Sequence, residues 1–261
     1  MRANRLREVI KEQSHATNAW LSIPSSYSAE LVAHCGFDAI TVDLQHGMID
    51  FGQAVTMLQA ISSTRATPLV RPQSSDPVQI MQLLDAGAYG VICPQVDDAD
   101  IARAVVAACK YPPSGERSFG PARGLLYGGP DYFAHANREI LVFVMIESRK
   151  AVQNLDSILS VPGIDGVYIG PNDLSLSYEG TPSSDPKGEA AQAIEFIRTQ
   201  VAQRQMLTGI FGADGAMARR RVDQGFQVVT PGNDAAILKN GCLQQLAGLG
   251  NAADGGSSSG Y

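Results

Sequence analysis

Val161-Pro-Gly-Ile-Asp-Gly-Val-Tyr-Ile-Gly-Pro-Asn-Asp-Leu174 is the stretch on which the fold turns. Its centre, Gly166–Ile169, is a short apolar run without polar–apolar alternation, and it stops at the strand-breaking pair Gly170-Pro171. A strand buried on both faces and followed at once by a polar turn is what a parallel sheet requires. The same unit recurs along the chain. The other candidate strands are Asn18–Ile23, Ala39–Asp43, Thr67–Arg71, Gly90–Pro94, Leu141–Ile146, Leu207–Phe211 and Gln227–Thr230. Amphipathic helical patterns lie between them at Ser28–Cys35, Phe51–Ser62, Pro77–Ala86, Asp98–Cys109, Glu189–Arg204, Gly215–Gln224 and Asp234–Leu249. Alternating strands and helices argue for an α/β fold. Eight such units in 261 residues match the roughly 250 residues of one (β/α)8 barrel, so a closed TIM barrel is expected, as a single domain over residues 1–250.

Two stretches depart from this rhythm. Residues 111–138, with Tyr-Pro-Pro, several glycines and aromatics, read as a long loop of the functional kind, expected to help build a substrate pocket together with a neighbouring chain. Residues 251–261 are Gly/Ser-rich and read as a disordered tail. The composition, 44% apolar and 18% charged, suits a folded chain with a large core. A net charge of −6 with no block of like charges argues against nucleic acid or an anionic membrane as partner. Cys35, Cys93, Cys109 and Cys242 show no metal-type spacing, and three of them sit in apolar stretches, as free thiols of a reducing compartment do. Arg2, Arg5, Arg7 and Lys11 are followed by no apolar stretch, unlike a secretory signal. The longest apolar run, Ile140 to Ile146, is far below the roughly 20 residues of a membrane span. A cytoplasmic protein is expected.

Barrel enzymes place their chemistry at the C-terminal ends of the strands. Here those ends read Asp43-Leu-Gln-His46-Gly47, Arg71-Pro72, Pro94-Gln95, Glu147-Ser148 and Gly170-Pro171-Asn172-Asp173. Glu147 and Asp173 follow neighbouring strands, which lie about 4.8 Å apart, so both carboxylates can reach one hard divalent cation such as Mg²⁺ or Mn²⁺. Either alone is as readily a carboxylate favoured by a helix N-terminus; the pair favours a metal. His46 is the acid–base candidate. Asp43, three residues earlier, is placed to accept a bond from the imidazole, which would fix its tautomer and raise its pKa. Arg71 ends a core strand, so its guanidinium either pairs internally with Asp43 or Glu147 or meets a substrate carboxylate or enolate oxygen. The five lysines, Lys11, Lys110, Lys150, Lys187 and Lys239, all lie outside the candidate strands, which disfavours a Schiff-base mechanism.

At these residues the sequence resembles the HpcH/HpaI aldolase family, the class II pyruvate aldolases related to the citrate lyase β subunit. The matching pieces are Asp43-Leu-Gln-His46-Gly47, Leu69-Val70-Arg71, Tyr111-Pro-Pro-Ser-Gly115-Glu-Arg117, Ile146-Glu147 and the Val161–Leu174 stretch, in family order over about residues 3–248. The resemblance implies that Glu147 and Asp173 bind Mg²⁺, Mn²⁺ or Co²⁺, and that pyruvate chelates this metal through its carboxylate and keto oxygens. It implies that Arg71 contacts the keto or enolate oxygen and that backbone amides around Gly170, Pro171 and Asn172 hold the pyruvate carboxylate. By the same resemblance the His46–Asp43 pair acts on a metal-bound water or on the aldol hydroxyl, Trp20 lines the pocket, and Asp85 reaches a neighbouring subunit's site. It also implies a hexamer, a trimer of dimers that exchange the C-terminal helix. Three positions depart from the pattern: Met145 stands where Gln is found in well-characterised members, Gln45 where Glu is frequent, and Ser118 where Gly more often follows the arginine.

The expected reaction is reversible retro-aldol cleavage of a 4-hydroxy-2-oxo acid to pyruvate and an aldehyde through a metal-bound pyruvate enolate. Two rivals accompany it. One is a CoA-thioester lyase of the citramalyl- or malyl-CoA type, for which Arg117, Arg123 and Arg149 would supply phosphate contacts. The other is a non-catalytic 2-oxo-acid-binding protein, which would need neither His46 nor Arg71.

Overall fold

In the computed structural model of the chain, residues 1–249 are described; the expected tail, residues 251–261, lies outside them. The elements in order are α1 (Arg5–Gln13), β1 (Ala16–Leu21), α2 (Ser26–Ala33), β2 (Ala39–Asp43), α3 (Phe51–Ile61), β3 (Thr67–Arg71), α4 (Pro77–Asp85), β4 (Gly90–Cys93) and α5 (Ala99–Cys109). There follow α6 (Ala122–Gly128), α7 (Tyr132–Glu139), β5 (Leu141–Ile146), α8 (Arg149–Gln153), α9 (Leu155–Leu159), β6 (Gly166–Ile169) and α10 (Pro171–Glu179). The last are α11 (Glu189–Gln203), β7 (Leu207–Gly212), α12 (Gly215–Asp223), β8 (Val228–Pro231) and α13 (Asp234–Gly248). The eight strands pair in parallel in chain order and β8 closes on β1, so the molecule is a (β/α)8 barrel.

Four strands, β2, β3, β5 and β6, have the bounds expected from sequence. β1 ends at Leu21 rather than Ile23, because the Ser22 and Ile23 N–H groups bond the Asp234 carboxylate instead of a neighbouring strand. Helix starts follow local chemistry: Asp50 caps α3 in a reciprocal capping box with Gln53, and Asp76 precedes Pro77 at the first position of α4. Inside the barrel, Leu69, Ile92, Leu141, Phe143, Met145, Tyr168 and Val228 pack with Trp20. A larger apolar layer lies between strands and helices. One polar layer crosses the barrel interior: Thr41 Oγ1 donates to Asn18 Oδ1 (3.0 Å), Asn18 Nδ2 donates to Thr230 Oγ1 (3.0 Å), and Thr230 Oγ1 bonds the Tyr168 hydroxyl (2.5 Å). Each polar group there has a partner, as burial demands.

The long loop expected at 111–138 contains α6 and α7 instead. Pro121, Gly129 and Pro130 punctuate the segment, and neither helix start carries a side-chain cap bond, so neither announces itself in the sequence. Gly128 is needed for packing: a Cβ there would come 2.6 Å from the Tyr132 ring. The segment leads from the end of α5 to the start of β5, which puts it at the N-terminal face of the barrel, opposite the strand ends. Among the described residues no helix is long and apolar enough to cross a membrane.

Candidate active site

Asp43 and Arg71 end adjacent strands as direct cross-strand partners. Arg71 grips Asp43 with two parallel bonds, Nε to Oδ1 at 2.8 Å and Nη2 to Oδ2 at 2.7 Å, and both residues are buried. The Trp20 indole N–H donates to Asp43 Oδ2 at 3.1 Å, and the guanidinium lies over the Trp20 ring, 4.9 Å from its centre. Asp43 Oδ1 also accepts the backbone N–H groups of Gln45 (3.1 Å) and His46 (3.3 Å). Burial pushes the Asp43 carboxyl upward, but the Arg71, Trp20 and His46 donors outweigh it and hold the group below the ordinary carboxylate range. Of the two internal partners weighed for Arg71, Asp43 is the one in place. The same guanidinium still lines the mouth pocket.

One expectation is corrected here. Asp43 reaches His46 through the backbone N–H, and the His46 pKa is lowered, not raised. Partial desolvation of the ring is the largest cause and the Arg71 charge adds to it, overcoming the opposite pull of Asp43 and Asp173. The Arg71 charge, paired to Asp43, offsets the pull of that carboxylate on the imidazole. His46 therefore sits at the rim as a neutral base near pH 7.

Glu147 and Asp173 approach the same mouth from β5 and from the first turn of α10. Glu147 is buried, its Oε1 accepts the Gln95 N–H at 2.8 Å, and its Oε2 has no hydrogen-bond partner. Burial pushes its pKa up to about 7, against the lowering effect of the Gln95 bond and with Asp173 raising it further. Gln95 delivers that N–H from a left-handed conformation, φ 55°, unusual for a residue with a side chain. Gly170 faces Glu147 so closely that a Cβ would lie 2.6 Å from Oε2. Gly170 also opens α10 with no side-chain cap, and Pro171 at the first helical position has no N–H to offer. The free amides of the helix start, with their partial positive charge, belong to Asn172 and Asp173. Among the described residues no group of three or more His, Cys, Asp and Glu gathers as a metal cage. A pair of carboxylates could hold a hard cation only as an open site, with positions left for water and substrate.

Asp173 joins two concavities. One is lined by Trp20, Arg71, Met145, Tyr168, Phe211 and Asn233 together with Gly170, Pro171 and Asn172. The other is polar, with Gln95, Asp97, Glu147 and Ser148 facing Leu176 and Ser177. The first carries an aromatic wall, in which Trp20 is tilted against Tyr168 (5.5 Å) and meets Phe211 edge-on (5.6 Å).

The family model for HpcH/HpaI aldolase/citrate lyase matches residues 17–240. The chain belongs to this family. A hydroxypyruvate/pyruvate aldolase of Rhizorhabdus wittichii is 42% identical over 245 residues, covering 94% of this chain and 98% of that protein. A 4-hydroxy-2-oxo-heptane-1,7-dioate aldolase of Salmonella dublin is 41% identical over 252 residues, covering 95% of each. An HpcH/HpaI family protein of Burkholderia cenocepacia superposes with a TM-score of 0.88 at 28% identity, over 95% of this chain and 99% of that one. This HpcH/HpaI member is accordingly a carbon–carbon lyase of the aldolase class.

Within the HpcH/HpaI member, Trp20, Asp43, His46, Arg71, Glu147, Gly170, Pro171, Asn172 and Asp173 converge on the strand ends. Asp85 does not join them in its own chain. It ends α4, which returns from the mouth to the opposite face, and its Oδ1 accepts Arg117 Nη2 at 2.6 Å. Arg117 is itself buried against Tyr111 and bonded to the Tyr132 hydroxyl at 3.0 Å. Arg123 donates to the Ala86 carbonyl and the Ser62 hydroxyl at the ends of α4 and α3, and Arg149 pairs with Glu189 over the Tyr178 ring. None of these three arginines lines the mouth of its own chain, and neither does any residue of 111–138. Tyr168, Phe211, Asn233 and Asp234 were not anticipated. The first two read as core residues, and only the parity of side chains along β6 and β7 turns them inward.

Proposed function

We propose that the chain is a divalent-metal-dependent class II aldolase that reversibly cleaves 4-hydroxy-2-oxo acids to pyruvate and an aldehyde. The observation that carries this is the buried Glu147 carboxylate, whose Oε2 has no partner and which shares a concavity with Asp173, at a mouth that also presents Arg71 and an uncapped helix start. A buried carboxylate oxygen without a donor is costly unless a cation compensates it. Glu147 and Asp173 are thus the residues that would hold Mg²⁺, Mn²⁺ or Co²⁺, with Gly170 keeping the space beside Oε2 clear. When bound, such an ion supplies Lewis-acid polarisation of the 2-oxo group.

The chain's own residues supply the rest. The Asn172 and Asp173 amides orient the substrate carboxylate at the start of α10. Arg71, held rigid by Asp43 and Trp20, faces the oxygen on which negative charge develops as the bond between C3 and C4 breaks. Neutral His46 takes the proton from the C4 hydroxyl; the electron pair of that O–H bond forms the second C–O bond of the aldehyde, and the C3–C4 pair passes into the enolate of pyruvate. Protonation at C3 completes the reaction. Trp20, Tyr168 and Phe211 keep water from the floor of the pocket. The names of the two relatives, both aldolases, support this reading. The test is chelation: after EDTA treatment, pyruvate release from a 4-hydroxy-2-oxo acid should stop, and added Mn²⁺ or Co²⁺ should restore it. Full activity in the metal-free protein would sink the proposal.

We extend the proposal to a cytoplasmic hexamer, a trimer of dimers with α13 exchanged between subunits. Its support is α13 itself, in which Asp234 is the one buried residue and Ile237 (54% exposed) and Leu238 (60%) face outward. In such an assembly Asp85 would serve the site of a neighbouring subunit.

A further inference from the structure

Asp234 is the first residue of α13 and is buried, yet no step above uses it. Its Oδ1 accepts the Ser22 N–H (2.8 Å), the Ser22 hydroxyl (2.9 Å) and the Ala235 N–H (2.9 Å), and its Oδ2 accepts the Ile23 N–H (3.2 Å). The place of these bonds matters. The ladder between β1 and β8 has only two rungs, Ala16 with Val228 and Thr17 with Val229, both at the end of β1 away from the mouth. Towards the mouth the two strands are joined by one isolated bridge, Trp20 with Asn233, by the Asn18–Thr230 side-chain bond, and by the Asp234 carboxylate.

What Asp234 holds leads directly to the chemistry. Ser22 lies two residues beyond Trp20, which bonds Asp43 and stacks on Arg71. The Ser22 carbonyl accepts the Met48 N–H at 3.1 Å. Gly47 is wedged between the same residue and Asp43: a Cβ on it would lie 3.1 Å from Ser22 Cα and 2.1 Å from the Asp43 carbonyl oxygen. The loop that carries His46 is therefore clamped between Asp43 and Ser22, and Ser22 is fixed by Asp234.

We infer that Asp234 is a positioning residue of the aldolase site, a carboxylate latch across the β8–β1 seam that fixes the Trp20 wall and the His46 loop through Ser22. The inference rests on the aldolase reading of this mouth. An aspartate that only starts a helix would need no bonds to another strand, and its loss would destabilise α13 without touching the site.

The experiment uses the full chain, the variants Asp234→Asn and Ser22→Ala, and Trp20, the sole tryptophan, as a local probe. The amide of Asp234→Asn brings a donor into a cluster of donors, so the latch should open. The latch predicts red-shifted Trp20 emission in the folded variant and a fall in kcat of about tenfold or more, because small misplacements near reacting atoms are expensive. KM should change by less than about threefold, since the substrate carboxylate is held by α10, which Asp234 does not touch. Ser22→Ala, which removes one of the four bonds, should move both readouts in the same direction by less. A lower Tm with parental emission and kcat overturns the latch. If Asp234→Asn does not fold, Ser22→Ala decides: parental emission and kcat overturn it. Failure of the aldolase reading is separate, since it would appear as no turnover in the parent protein while the emission comparison still judges the latch.

Discussion

At the residue scale, His46 and Asp43 have different tasks although they lie three residues apart. Asp43 is consumed by Arg71, Trp20 and two backbone amides, which leaves His46 as the group able to exchange a proton. Its pKa is lowered from 6.5 by burial and by Arg71. A base must be deprotonated to act, so at saturating metal, which would keep Glu147 ionised, kcat/KM should be level at and above neutral pH and fall as the medium drops below pH 6.5, through the depressed pKa of His46. His46→Ala should lower kcat by about 10²–10⁴ and remove that acid limb; an unchanged pH–rate profile would assign the limb to another group. The identities of the site residues were legible because a polar residue closing an apolar strand is conspicuous. Their pairing was not. Whether Asp43 meets an imidazole in its own loop or a guanidinium on the next strand depends on strand register, and the Asp43–Arg71 match is invisible until two strands are laid side by side.

At the scale of elements, α10 is the part of the barrel that brings a metal-ligand candidate and free helix-start amides together. Its N-terminus carries Asp173 as the third helical residue and offers the amides of Asn172 and Asp173, while Gly170 before it faces Glu147, just past β5. The φ of Gly170 is −95°, which any residue adopts, so glycine is present for space alone. Gly170→Ala should therefore keep the helix, by circular dichroism, but displace the Glu147 carboxylate and weaken Mn²⁺ binding in calorimetry by about 10–100-fold, as loss of support around a metal ligand does. Unaltered Mn²⁺ affinity would remove Glu147 from the ligand set. Strands and long helices were readable from their apolar runs and caps. The segment 111–138 reads as a loop in sequence because its prolines and glycines are turn signals, whereas in the fold Gly124 and Gly128 leave room for the Tyr132 ring.

At the scale of the whole molecule, the polar layer of Asn18, Thr41, Tyr168 and Thr230 closes the barrel beneath the aromatic wall. The proposed site thus lies on one side of this layer, and the opposite face carries Asp85, Arg117 and the aromatic cluster of Tyr111, Phe119 and Phe133. Closure of eight strands was legible from their number and the chain length. The relation of one copy to another was not, because apolar residues on a helix look alike whether they face their own core or a neighbour's. If α13 docks on another copy, Ile237→Asp combined with Leu238→Asp should lower the mass measured by light scattering, and an unchanged assembly would exclude this face from the contact. A last helix whose apolar side chains find no shelter in their own chain has a further consequence. If a second copy shelters them, part of the folding free energy obeys mass action, so that the melting temperature should rise with protein concentration and dilution alone should weaken the fold.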